Sequence, residues 1–172
     1  VLKRWTSEAV YRSFKAGIRT FMWYSLRDQD PAGRPWNETA QSGLFFRGST
    51  VEQDRAKPLR QAFRFPFVSF TRDRVKRVRR KGRLVRKRIK GIAVWGRTPT
   101  SSGGWVAIQR KRNGGWERIG RVRAGGKGVF SRWLRIRSGS NRRGTVRTVH
   151  RGEASVPFSL KKVRDRPARP FG

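Results

Sequence analysis

The residues with the clearest capacity for chemistry in the N-terminal third are Trp23, Arg27, Asp28 and Trp36. An indole face stacks on the apolar C–H face of a sugar ring, and its N–H can donate to a hydroxyl. Trp23 is therefore either a sugar platform or a core residue within the apolar run Phe21-Met22-Trp23-Tyr24, and Trp36 is a second platform of the same kind. Arg27 has the fork geometry to hold an acidic sugar or a carboxylate, against the plainer reading of a solvated arginine. Asp28 and Asp30 stand two apart after the run. Retaining glycoside hydrolysis uses two carboxyl groups about 5–5.5 Å apart. Asp residues beside Pro31 and Gly33 are more commonly turn formers. Glu52 and Asp54 lie just before a predicted helix, whose dipole they suit.

A second kind of chemistry is electrostatic. The chain has 44 Lys+Arg against 10 Asp+Glu, a formal +34, which a folded protein carries only under strong self-repulsion unless a polyanion or salt screens it. Arg72–Lys90 is the most basic stretch, with twelve cations in nineteen residues. Arg77, Arg79, Arg80, Lys81, Arg83, Arg86, Lys87 and Arg88 are the candidate polyanion-binding residues. Nucleic acid, anionic cell-wall polymer and acidic lipid headgroups all qualify as partners. No zinc knuckle, GxxG loop or RNP aromatic signature accompanies the stretch, and a solvated linker is the bland alternative.

Other classes are excluded. The chain has no cysteine, hence no disulfide framework and no thiolate metal site. His150 is the one histidine, so no multi-histidine metal site exists and no metal or cofactor is expected. No apolar run approaches the ~20 residues of a membrane span. Seven Trp and eleven Phe supply bulk for packed cores despite the high charge.

The elements that must position these residues can be read in order. Thr6 or Ser7 is expected to cap a short helix carrying Val10, Tyr11 and Phe14, with Gly17 as its left-handed stop. The run Ile18–Leu26 has the texture of a strand buried on both faces, as in parallel sheets. Such a strand needs sheet partners, and no later segment repeats its pattern. A polar loop follows, then a helix over Lys57–Phe65 with Pro58 in its first turn and Pro66 ending it. From about residue 89 the texture changes to short runs separated by glycine clusters: Gly91–Arg97, Gly104–Arg110, Trp116–Val122, Gly128–Ile136, Gly144–His150 and Ser155–Val163. Asn113-Gly114 between two of them signals a hairpin. This spacing predicts a small antiparallel β-sandwich with Trp95, Trp105, Trp116, Phe130 and Trp133 in its core.

Residues 1–65 resemble the end of a (β/α)8-barrel glycoside hydrolase of the large retaining clan. The resemblance rests on Thr6–Arg12, Phe21–Asp28, Ser42-Gly43-Leu44-Phe45, and Lys57-Pro58 with Ala62-Phe63. It implies that Trp23 lines the sugar cleft at the end of the eighth strand; Arg27, Asp28 and Trp36, beside it in the sequence, are the further candidate substrate-binding residues. It also implies that the two catalytic glutamates lie upstream of Val1, so none is assigned within the chain. The tail is similar to the Ig-like β domains appended to such enzymes in actinomycete-type proteins. The fold class expected is α+β: a terminal helix–strand–helix piece of a barrel, then the sandwich. By residues, 1–70 is the barrel end, 71–88 a basic linker, 89–165 the β domain and 166–172 a tail. The resemblance makes the chain the C-terminal part of a larger secreted hydrolase acting on O-glycosidic bonds in carbohydrate. The alternative is a noncatalytic basic module that binds polyanions.

Overall fold

The computed structural model describes residues 2–136 and 144–160. The expected tail at 166–172 and the end of the last expected strand lie outside the described residues. Among the described residues the chain is α+β, with two α-helices and mostly antiparallel strands.

Helix α1 (Leu2–Lys15) begins earlier than its expected Thr6 or Ser7 cap. Leu2-Lys3-Arg4-Trp5 contains no breaker, so the helix extends through it, and an Arg4–Glu8 ion pair one turn apart supports the extension. Thr6 and Ser7 instead lie buried within the helix. The Ser7 hydroxyl reaches the Ala62 carbonyl at 3.4 Å, which ties α1 to the second helix. The C-terminus is as expected. Gly17 takes φ 79°. Gly17 N–H donates to Phe14 O and Ile18 N–H to Ser13 O, the paired bonds that let a glycine close a helix.

Residues 18–26 do not form the buried strand that their composition predicts. Met22, Tyr24 and Leu26 are 85, 87 and 67% exposed. A strand hidden on both faces needs hydrogen-bonded neighbours. Here the backbone gains one only at its end, where Arg27 bridges Phe45 in parallel. Ser25, at φ 73°, bends the run out of extended geometry.

The polar loop carries a 3-10 turn (Trp36–Glu38), and β1 (Phe45–Phe46) pairs with β2 (Arg55–Ala56). Helix α2 (Pro58–Arg64) starts at its proline and stops before Pro66, as the sequence requires. Ten strands follow: β3 (Phe67–Thr71), β4 (Arg74–Arg80), β5 (Arg83–Ile89), β6 (Gly91–Arg97), β7 (Gly104–Arg112), β8 (Gly115–Ala124), β9 (Val129–Arg135), β10 (Thr145–His150), β11 (Glu153–Ala154) and β12 (Phe158–Ser159).

One antiparallel sheet has the order β3-β6-β9; the other runs β11-β10-β7-β8, with β12 also on β10. They enclose one core, in which Phe67, Val94 and Phe130 meet Val106, Ile108, Val146 and Phe158. Alternation along the strands then sends the opposite face of the first sheet toward α1. There Tyr11 packs on Phe70 and Trp95 at 5.4 and 5.2 Å, and Phe14 on Trp95 at 5.1 Å. Helix and sandwich thus share a hydrophobic interior. The sheet takes in β3, so the sandwich draws on residues well before 89.

Two expectations about the β region are corrected. Of the aromatics assigned to the core, Trp95 and Phe130 are buried, whereas Trp105 is 56% exposed and Trp116 and Trp133 are half-buried. Each of these three stacks under an arginine: Arg121 on Trp105, Arg147 on Trp116 and Arg74 on Trp133. Cation–π contact lets an outward-facing indole remain partly covered. The stretch 71–88 is also not a linker. Most of it is the β4–β5 hairpin, paired from Arg74↔Ile89 to Arg80↔Arg83. Lys81 and Gly82 turn its tip at φ 49° and 74°, the twist that two-residue hairpin turns require.

Candidate functional site

The loop after Trp23 is organised by a buried ion pair. Asp28 is 3% exposed and Lys57 9%. Lys57 Nζ donates to Asp28 Oδ1 at 2.5 Å and to the Gln41 carbonyl at 2.8 Å, and it also sits 5.0 Å from the Phe46 ring centre. Asp28 Oδ1 further accepts the Gly43 N–H at 3.1 Å. Backbone bonds run beside the pair, from Asp28 N–H to Phe45 O and from Lys57 N–H to Leu44 O. Asp28, assigned to substrate binding from the sequence, is therefore occupied inside the protein. Lys57 is the residue that sequence reasoning missed. The signal was the Lys57-Pro58 pair itself, in which the proline starts the helix and the lysine beside it is free to turn inward.

Gly43 must be glycine at this junction. A Cβ there would lie 2.4 Å from Arg27 C and 2.5 Å from Asp28 N, both backbone atoms with little room to retreat. Gly43→Ala is expected to destabilise the protein by about 1–3 kcal/mol, as overpacking does. An unchanged urea midpoint would show that the loop relaxes freely.

Arg27 is likewise engaged. Its Nη2 donates to Asp54 Oδ1 at 2.8 Å and to the Gly48 carbonyl at 3.3 Å. Asp54 Oδ1 also accepts the Gly48 N–H at 2.8 Å. That N–H first, and the Arg27 guanidinium after it, hold the Asp54 carboxyl below its usual value. A depressed folded-state pKa stabilises above the ordinary carboxylate value of about 4, and the benefit is lost as pH falls through the folded value. Gly48 amide-exchange protection should therefore drop below about pH 4 in the natural protein. Asp54→Asn should flatten that dependence. The same acid loss in both proteins would place its origin elsewhere. Glu52 is also held below its usual value, by a backbone hydrogen bond first and by Thr50 second.

Asp28 and Asp30 do not form a carboxylate pair. Asp30 accepts the Ala32 N–H at 3.1 Å, the local bond of a turn former, and pairs with Arg47 at 3.3 Å. Trp23 is half-buried and edge-on to Phe63 at 5.9 Å. Its indole N–H donates to the Ser42 carbonyl at 2.7 Å, so stacking, not hydrogen bonding, is what it has to offer a ligand. Trp36 opens the 3-10 turn, and its side chain lies outside the described residues.

The second candidate site is the β4–β5 ribbon. Its pairing places Arg77, Arg79, Arg86 and Arg88 on one face with Val75 and Leu84. Arg74, Lys76, Arg80, Arg83 and Lys87 lie on the other, with Lys81 at the tip. All eight residues named from the sequence as polyanion ligands are thus brought together on one exposed arm. An open groove of about 530 Å³ runs between Val75, Arg77, Arg86 and Arg88. No helix among the described residues is long and apolar enough to cross a membrane. Comparison of the chain with protein-family models, curated proteins and solved structures returns no match.

Proposed function

We propose that the chain is the C-terminal part of a secreted glycoside hydrolase that cleaves O-glycosidic bonds in carbohydrate. In this proposal it contributes one wall of the sugar cleft through Trp23, together with an accessory β domain. The observation that carries the proposal is the surface formed by residues 18–26. Phe21, Met22, Tyr24 and Leu26 are large, apolar and exposed, and the backbone beside them has a single parallel bridge at Arg27↔Phe45. Parallel pairing is how barrel strands join; in a barrel, neighbouring strands would pair both edges of the run, while the packed interior and the outer helices would cover its two faces. The buried Asp28–Lys57 pair and the close approach of Gly43 hold the following loop in place, and they fall on the same short motifs that carry the resemblance. Asp28, Asp30 and Asp54 are each bound to a cation, and in this proposal the acid/base pair lies outside the chain, as the resemblance implies.

Two measurements test the proposal. The chain alone is expected not to hydrolyse β-linked glycans. Soluble β-linked oligosaccharides should nonetheless produce a weak, saturable change in its tryptophan fluorescence, lost in Trp23→Ala. Turnover by the chain alone, or a fluorescence change that survives Trp23→Ala, would defeat the assignment.

A further inference from the structure

The β4–β5 ribbon has no role in the carbohydrate reading, yet it is dense in cations and exposed over nearly all its length. Ten cations and no acid lie between Arg74 and Ile89. None of these cations has a carboxylate partner among the described residues. Like charges directly opposite one another on paired strands destabilise a sheet, and here Lys76 faces Lys87, Arg77 faces Arg86 and Arg80 faces Arg83. A chain that keeps three such pairs in a formed hairpin bears a repulsion that an anion would relieve.

The ribbon is also held in a fixed direction. It continues the β3–β6 pair outward, and Arg72 N–H to Gly91 O at 2.9 Å links the two ladders. At its base Arg74 stacks on Trp133 at 4.6 Å, and the Trp133 indole N–H donates to Arg72 O at 2.7 Å. The arm therefore projects from the sandwich with its root anchored.

Its dimensions and composition select among polyanions. Seven residues of strand span about 20 Å, over which duplex DNA carries about twelve phosphate charges. A polyuronate bears one charge per ring, a sparser match to ten cations. No residue of the ribbon is aromatic, so it has no platform for stacked single-stranded bases or for sugar faces. A two-stranded β-ribbon fits the major groove of a duplex, and arginine forks pair with phosphate in two-pronged fashion.

We propose that the β4–β5 ribbon is a docking arm for duplex nucleic acid, with Arg77, Arg79, Arg86 and Arg88 on the phosphates and little dependence on sequence. The arm functions independently of the carbohydrate reading, and its failure would leave that reading untouched. The test is fluorescence anisotropy of a labelled DNA duplex of two helical turns, titrated with the intact chain over a range of salt. If about six phosphates are neutralised, each doubling of salt should weaken binding about 40-fold. Changing Arg77, Arg79, Arg86 and Arg88 together to Gln should reduce that dependence to about 3–4-fold. A control with the same net charge replaces the exposed Lys3, Arg12, Arg19 and Arg34 with Gln and should retain most of the salt dependence. As a check that needs no variant, DNA should protect Lys81, at the tip, from acylation more than Lys3. Equal losses in the two variants, or even protection of all lysines, would mean that diffuse charge does the binding and would overturn the proposal. Equal affinity for polygalacturonate at matched salt would overturn the assignment to nucleic acid.

Discussion

Lys57→Met is expected to destabilise the protein by about 3–5 kcal/mol, read as a lower urea midpoint. The loss comes from what remains behind, since Asp28 would keep its buried position with its cation gone. The Gly43 N–H is its other bonded donor, too little to stabilise a desolvated carboxylate, and the Gln41 carbonyl would lose its donor too. The companion double substitution distinguishes a costly orphan from a valuable pair. Replacing both members with apolar residues of similar volume, Lys57→Met with Asp28→Leu, should recover most of the lost stability, because neither charge then pays for desolvation. A loss under about 1 kcal/mol in Lys57→Met would mean that water reaches Asp28 and the pair is a surface bridge in all but geometry. A double variant as unstable as the single would assign the effect to shape, with the loop resting on the stem of Lys57.

That pair also marks where sequence reading stops. Features set by one or two adjacent residues were legible. Gly17 closes α1, Pro58 and Pro66 bound α2, and Asn113-Gly114 turns the β7–β8 hairpin at φ 46° and 81°. The strand Gly91–Arg97 falls where its texture places it, since a centre-sheet strand is hydrophobic nearly throughout. Features that depend on distant partners were not legible. Asp28 looked like an exposed turn residue because nothing local says that Lys57, 29 positions on, will bury it. The ribbon looked like a linker because Val75, Val78, Leu84, Val85 and Ile89 do not alternate cleanly and charge masks the period that remains. The strand period predicts a core position for Trp105, Trp116 and Trp133. Which face of a strand an indole takes follows from register, and arginines above the rings make the outer face acceptable. The apolar run at 18–26 was read for a burial that this chain does not give it.

Phe67→Ala is expected to cost about 3–5 kcal/mol, the usual range for emptying a core aromatic site. Phe67 is 1% exposed and meets Phe158 edge-on at 6.5 Å across the two sheets. Its truncation leaves a void with strands on both sides, and strands held in ladders collapse poorly. Phe67 follows directly on α2 and Pro66, and β3 carries α1 on its other face through Tyr11 and Phe70. A cavity between the sheets should therefore lower the stability of helix and sandwich together. Far-UV circular dichroism, to which α1 contributes, and tryptophan fluorescence, to which buried Trp95 contributes, should report the same shifted midpoint. If the helical signal keeps its midpoint while the tryptophan signal shifts, α1 holds to the sandwich by surface contact alone. The two parts would then be separate folding units, in spite of the stacking of Tyr11 and Phe14 on Trp95.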